Sequence, residues 1–279
     1  MIPLGIVASS YPYYRVTYEE LVLSLDPAMY FKLDEGAGES TAYDSSGNGY
    51  HASYTGTHGV VDETHPTIAP GNTAYFDGVV TGSAYDYTAS GVYRSTSPVS
   101  GPYFGSSWTI SFWMLPDQEW HSDSGARHSV LWQQAPLDES QDMGSDLDPL
   151  TLWLRIAYGS EEGFGWWRAY GGMWEPTLPL EDFEDLVTAG EWFHVVVMKV
   201  LSSVYLYING VNVMVLNAAI PTFRLNPYNL SLAYNWVGTK VESDADLVMP
   251  YKGAMAHFFM IPATIPSWKI TEMAGYRVP

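Results

Sequence analysis

Apolar and polar positions alternate along much of this chain in short runs. "WTISFWMLP" (108–116) sets Ile110, Phe112 and Met114 between smaller or aromatic neighbours, and "TLWLRIAYG" (151–159) sets Leu152, Leu154 and Ile156 against Trp153 and Arg155. A period of two places alternate side chains on opposite faces of a strand. "NLSLAYNWVG" (229–238) and "GAMAHFFMIP" (253–262) continue the theme. Regularly spaced short strands predict a sandwich or barrel. The sharpest local signal is "VYLYINGVNVMV" (204–215), where Asn209-Gly210 suits a two-residue type I′ turn. That turn predicts Ile208 opposite Val211, Leu206 opposite Val213 and Val204 opposite Val215, an aliphatic face backed by Tyr205, Tyr207, Asn212 and Met214. "EWFHVVVMKV" (191–200) supplies a third strand through Ser202-Ser203.

Helical patterning is confined to the two ends. In "TYEELVLSLDPAMYFKL" (17–33), Thr17 and Glu20 have capping-box spacing, and Leu21 and Leu25 share a face. Pro27 stops that helix, and Tyr30, Phe31 and Leu33 read as a first strand. "PSWKITEMAGYRV" (266–278) reads as a short closing helix. Residues 81–107, rich in Ser, Gly, Tyr and Thr, and the acidic stretch 134–149 read as surface loops. No internal repeat is present, so one domain with long loops is expected.

Composition narrows the class. The chain of 279 residues is 47% hydrophobic and 15% aromatic, with 25 Gly and 18 Pro, which favours strands joined by turns. A net charge of −19, with 12 basic residues that form no run, argues against nucleic acid. The acidity reads as solubility, or more sharply as a Ca²⁺ site or a basic partner. There is no cysteine, which excludes disulfides and thiolate metal sites. "MIPLGIVASSYPYYR" lacks a basic start before its apolar patch, and no apolar run approaches the ~20 residues that span a bilayer. The expectation is a soluble, unprocessed chain without membrane insertion.

The succession "YFKLDEGAGESTAYDSSGNG" (30–49), "TAYFDG" (73–78), "SWTISFWM" (107–114), "EWFHVVVMK" (191–199), "VYLYINGV" (204–211) and "YKGAMAHFFMIPATIPSWKITEMAGY" (251–276) resembles laminin-G-like, concanavalin A-like jelly-roll domains. The short helix and the block after it are most similar to the versions in minor tail proteins of bacteriophages. Phe31, Lys32 and Lys199 stand where that pattern usually has tryptophan, arginine and threonine. The resemblance implies an all-β antiparallel sandwich of the jelly-roll class with short terminal helices, spanning residues 17–279. Residues 1–16 lie outside the match and read as a docking segment for a partner subunit.

Two stretches carry candidate chemistry. Asp44, Ser45 and Asn48 in "YDSSGNG" are hard oxygen donors of the kind Ca²⁺ accepts, although the same residues also suit a tight turn. "GFGWWRAYGGMWEP" (163–176) gathers Trp166, Trp167, Tyr170 and Trp174 as stacking groups for sugar rings, with Arg168 and Glu175 for hydroxyls. Core or subunit packing competes with that reading, since three Trp in nine residues cannot all face one sugar. Catalysis has little support. The acidic "EDFED" (181–185) does not alternate along a strand, and the Glu-x-Asp-x-x-Glu pattern of jelly-roll glucanases is absent. His51, His58, His65, His121 and His128 scatter through expected loops without His-Glu-x-x-His, and no G-x-S-x-G occurs.

The resemblance therefore implies a non-enzymatic virion component, a minor tail protein assembled in the host cytoplasm. Its expected partners are other tail proteins and host-surface polysaccharide, in a homo-oligomer or symmetric assembly. A secreted carbohydrate-binding module and a polysaccharide-degrading glycosidase are the alternatives.

Overall fold

The computed structural model describes residues 16–56, 58–61, 72–78, 80–83, 86–89, 91–94, 106–117, 128–134, 152–157, 163–168, 178–179, 182, 185–216, 230–232 and 249–276. The expected docking segment, save Val16, and the acidic stretch 135–149 lie outside the described residues. In chain order the elements begin with helix α1 (Tyr18–Leu23) and strands β1 (Met29–Phe31), β2 (Thr41–Ala42), β3 (Ala52–Thr55), β4 (His58–Val61) and β5 (Thr73–Asp77). Next come β6 (Val80–Ser83), β7 (Asp86–Ala89), β8 (Gly91–Arg94), β9 (Ser107–Pro116), β10 (His128–Gln134), β11 (Leu152–Ala157), β12 (Gly163–Arg168) and β13 (Leu178–Pro179). The last are β14 (Phe193–Val200), β15 (Ser203–Ile208), β16 (Val211–Leu216), β17 (Leu230–Leu232), β18 (Met249–Pro250), β19 (Lys252–Ile261) and helix α2 (Ser267–Ala274).

The strands form an all-β antiparallel sandwich of the jelly-roll class. The first sheet runs β16-β15-β14-β9-β19-β5-β4, with β1 also paired to β19. The second runs β13-β12-β11-β10-β17-β8-β3-β2, with β18 joining β10 in parallel. Strands β6 and β7 form a separate pair. The expectation of a loop over 81–107 is corrected here. Much of it is strand, because Tyr87, Thr88, Val92 and Tyr93 are strand formers among the Ser and Gly.

The main core lies between the sheets. Phe31, Phe76, Trp108, Ile110, Phe112, Val195, Leu206, Phe258 and Met260 meet Ala52, Tyr54, Val92, Leu230 and Leu232. Phe258 stacks with Phe31 and Phe112 at centroid distances of 6.3 and 6.2 Å. A second core covers the opposite face of the first sheet. There Tyr18, Leu21 and Val22 of α1 and Ile270 and Met273 of α2 pack on Trp113, Val196, Tyr207 and Phe259. Fully burying each aliphatic side chain contributes about 1.5–3 kcal/mol. The first sheet is thus buried on both faces, so that in β9 even Thr109 and Ser111, which alternate with Ile110 and Phe112, are buried.

Local signals set the helices and the hairpin. The Thr17–Glu20 capping box forms: Glu20 N donates to Thr17 Oγ1 at 3.1 Å, and Thr17 N donates to Glu20 Oε2 at 2.7 Å. Helix α2 follows Pro266 as expected. Asn209 and Gly210 both take positive φ, 51° and 82°, as a type I′ turn requires. The hairpin register departs from expectation beyond its first two pairs. Ile208 opposes Val211 and Tyr207 opposes Asn212, but an irregularity then sets Leu206 opposite Met214 and Val204 opposite Leu216. The shift lets both Val213 and Met214 pack against the main core, while Val215 is exposed.

Polar groups under the helices are paired. Ser111 Oγ lies 2.7 Å from His194 Nε2, and the Tyr18 hydroxyl lies 3.4 Å from the same nitrogen. The Tyr30 hydroxyl lies 2.7 Å from Nδ1 of His257, whose φ of 52° marks a bulge in β19. The bulge brings His257 N within 3.0 Å of Lys32 O, tying β19 to the residue that follows β1.

Candidate functional site

The Asp44 turn is a closed hydrogen-bond pin. Asp44 Oδ1 accepts from Tyr30 N at 2.9 Å and Ser46 N at 3.0 Å, and Oδ2 accepts from Tyr50 N at 2.8 Å. Asp44 N donates to His51 Nδ1 at 3.0 Å, and Ser45 N donates to Tyr30 O at 2.7 Å. The Asn48 amide donates to Pro27 O at 3.3 Å and Ala28 O at 3.1 Å. Asp44 is buried, and three of its roughly four lone-pair sites face backbone donors. A Ca²⁺ ion at Asp44, Ser45 and Asn48 would share the Asp44 carboxylate with those three donors. No cluster of three or more His, Asp or Glu suited to a metal is present among the described residues.

Beside this turn lies a seam between the sheets. The Tyr54 hydroxyl of β3 donates to Glu35 Oε2 at 2.6 Å, and Tyr43 N donates to Glu35 Oε1 at 2.7 Å. Tyr54 stacks on His58 of β4 at 3.8 Å. Burial pushes the Glu35 carboxyl above the usual carboxylate range, against the lowering effect of its hydrogen bonds. Burial also pushes His58 below its ordinary value. His58 and His128 lie in strands rather than in the expected loops. The Ser111–His194 pair has the spacing of a nucleophile and base, but both side chains are fully buried beneath α1, so it serves packing.

The aromatic candidates are divided by strand alternation. On β12, Trp166 pairs with Leu154 and Arg168 with Leu152, whereas Trp167 pairs with Trp153. Leu154 continues through Trp132 to Leu232, a residue of the main core, so Trp166 and Arg168 occupy core-side register. Trp167 belongs to the other row. From β12 across to β3 that row reads Trp167, Trp153, Gln133, Ser231, Tyr93 and Ser53. Ser53 is exposed while its neighbours Ala52 and Tyr54 are in the core, which fixes this row on the outer face of the second sheet. Five steps of about 4.8 Å make the row about 24 Å long. Tyr170, Trp174 and Glu175 lie outside the described residues.

Sequence reading missed Tyr93, Gln133 and Ser231, because the pairing that aligns them is non-local. The alternation of Trp153 against Leu152 and Leu154 was the available signal. Both helices pack on the first sheet, and none packs on the second among the described residues. The strands of the second sheet contain no Asp or Glu, although the chain has 31.

No family model matches the chain, and no curated protein matches its sequence. Solved structures do resemble it in fold. The binding domain of Paraclostridial Mosquitocidal Protein 1 aligns at a TM-score of 0.53 and 12% identity, over 90% of this chain and 52% of that one. The binding domain of botulinum neurotoxin serotype D/C VPI 5993 aligns at 0.51 and 12%, over 91% and 52%. Trypanosoma rangeli sialidase, solved with 2,3-difluorosialic acid, aligns at 0.50 and 12%, over 89% and 33%. The chain therefore spans about half of each toxin domain and a third of the sialidase. At this identity the likeness is one of β-sandwich fold.

Proposed function

We propose that the chain is a non-enzymatic binding domain whose outer second-sheet face receives glycan. The observation that carries this reading is the row Trp167, Trp153, Gln133, Ser231, Tyr93 and Ser53, aromatic at one end and hydroxyl- and amide-bearing along its length. Aromatic faces stack on sugar rings, and amide and hydroxyl groups match ring hydroxyls. The fold likeness to toxin binding domains and to a sialidase is compatible with such a role. A glycosidase needs two carboxyls flanking the bond, and the strands of this face supply none. Retention on immobilised polysaccharides tests the reading. The chain should be retarded by at least one polysaccharide without shortening it, and Trp153→Ala with Trp167→Ala should abolish the retardation. Hydrolysis, or retardation unchanged by both substitutions, would sink it.

The finer placement is on a bacteriophage tail, as a minor tail protein contacting neighbouring tail proteins. Its support is the sequence resemblance across residues 17–276. Antibody labelling of particles should mark the tail, and absence of the chain from purified particles would remove this placement.

A further inference from the structure

Strand β16 stands at one end of the first sheet, and among the described residues β15 alone pairs with it. Two of its valines are exposed, Val211 at 62% and Val215 at 45%. They belong to opposite registers. Val211 pairs with Ile208, a residue of the main core, and Val215 pairs with Tyr205, which packs against the core under the helices. A helix or a further sheet laid on the molecule would cover one of these faces. A strand paired with β16 would cover both, because its side chains alternate beside those of β16 at about 4.5–5.5 Å. Charges and prolines commonly keep strand edges apart, yet residues 201–216 contain no Asp, Glu, Lys, Arg or Pro. Of the usual protections β16 keeps the register irregularity beside Val213.

The occupant follows from where the described chain begins. Val16 O accepts a hydrogen bond from the hydroxyl of Tyr276, two residues beyond the end of α2. That end of α2 sits on the Asn209-Gly210 turn. Thr271 Oγ1 donates to Gly210 O at 3.3 Å, and a Cβ on Gly210 would meet Ala274 Cβ at 3.1 Å. Val211 follows this turn, so the chain preceding Val16 departs from the end of the sheet where β16 starts. Traced backwards from there along β16, it runs antiparallel to that strand. The stretch "LGIVASSY" (4–11) lies between Pro3 and Pro12 and is long enough to flank the six residues of β16. The five residues from Tyr11 to Val16 span up to about 17 Å when extended, enough to pass the turn. Residues 1–14 carry no charged side chain, so neither strand brings charge to the pairing. Residues 217–229, by contrast, must carry the chain from β16 to β17 in the second sheet, and Pro221 and Pro227 interrupt them. We propose that residues 4–11 dock on β16 of their own chain as an added antiparallel strand, so that the segment before α1 covers this edge of the first sheet.

A nitroxide label on Val7→Cys in the full chain tests the docking, since the sequence has no other cysteine. The label should broaden the backbone amide signals of residues 211–216 and leave those of β4, at the far end of the same sheet, sharp. Labelled chain mixed with unlabelled, isotope-enriched chain should broaden neither. Amide hydrogen exchange gives a second reading that needs no label. Ile6→Pro with Val7→Pro removes a ladder donor whichever register the segment takes. This pair should speed exchange at alternate amides of β16 about ten-fold and leave the amides bonded to β15 unchanged. Sharp signals at 211–216 in the labelled chain, or equal exchange with and without the prolines, would overturn the inference. Broadening in the mixed sample would overturn it too, giving the edge to a second copy of the chain.

Discussion

Strands β9 and β11 answer the same question in opposite ways. Residues 108–116 of β9 are all buried, because the second sheet covers one face and the two helices cover the other. In β11, Leu152, Leu154 and Ile156 alternate with Trp153 and Arg155, and only the leucine register runs on to the core. Both strands alternate, yet the outer register of β9, with Thr109, Ser111 and Trp113, is covered by the helices, so alternation alone does not tell whether a strand's second face is covered. The first sheet's outer face holds the terminal helices. The second sheet's outer register sets Trp167, Trp153, Gln133, Ser231, Tyr93 and Ser53 in one row, and no helix packs on that sheet among the described residues.

The same substitution on the two outer faces should separate them most widely. Trp113→Ala, under the helices, should cost about 3–5 kcal/mol in denaturant unfolding. Trp153→Ala, in the outer register of the second sheet, should cost less than about 1.5 kcal/mol while removing glycan retention. Between these extremes stands Asp44→Ala, which strands three backbone donors and should cost about 1–3 kcal/mol. That loss should be the same with added Ca²⁺ or with chelator. A Ca²⁺-dependent rise in the native melting temperature that Asp44→Ala abolishes would instead make the turn a metal site.

The smallest effect belongs to the seam. Glu35 is raised in the folded state, so its neutral form favours folding. Its contribution is fully present below the unfolded carboxylate range and is lost as pH rises through its raised folded value. Stability measured across that window should decline with rising pH, and Glu35→Gln should flatten the slope. An unchanged slope would mean that Tyr54 and Tyr43 N hold the ionised carboxylate at no cost.

The parts legible in the sequence were those decided by neighbours. The capping box at Thr17 and Glu20, the Asn209-Gly210 turn, and the alternation of β11 each rest on residues within a few positions. The slip at Val213 escaped, because packing of both Val213 and Met214 outweighs the strict period of two. The proposed binding face was legible only in half. Trp166, Trp167 and Arg168 are adjacent in sequence, yet alternation sends Trp167 to one face and its neighbours to the other. Tyr93, Gln133 and Ser231 join Trp167 through pairings across four intervening strand-to-strand steps, which no local pattern encodes.

Asp44 shows the converse. Its oxygen donors, with Ser45 and Asn48, had the chemistry of a cation loop, and the backbone donors around them became visible only with the fold. Side-chain type showed what the turn is capable of, and the fold shows that Asp44 also holds the N–H groups of Tyr30, Ser46 and Tyr50.

Trp268 of α2, exposed on the helix-covered side, and Trp167 of β12, in the outer register of the second sheet, provide the most direct test. Retention of Trp167→Ala and Trp268→Ala on a polysaccharide that holds the native chain should be compared side by side. The assignment of recognition to the second sheet predicts that Trp167→Ala loses retention and that Trp268→Ala keeps it. Loss with Trp268→Ala and full retention with Trp167→Ala would contradict it.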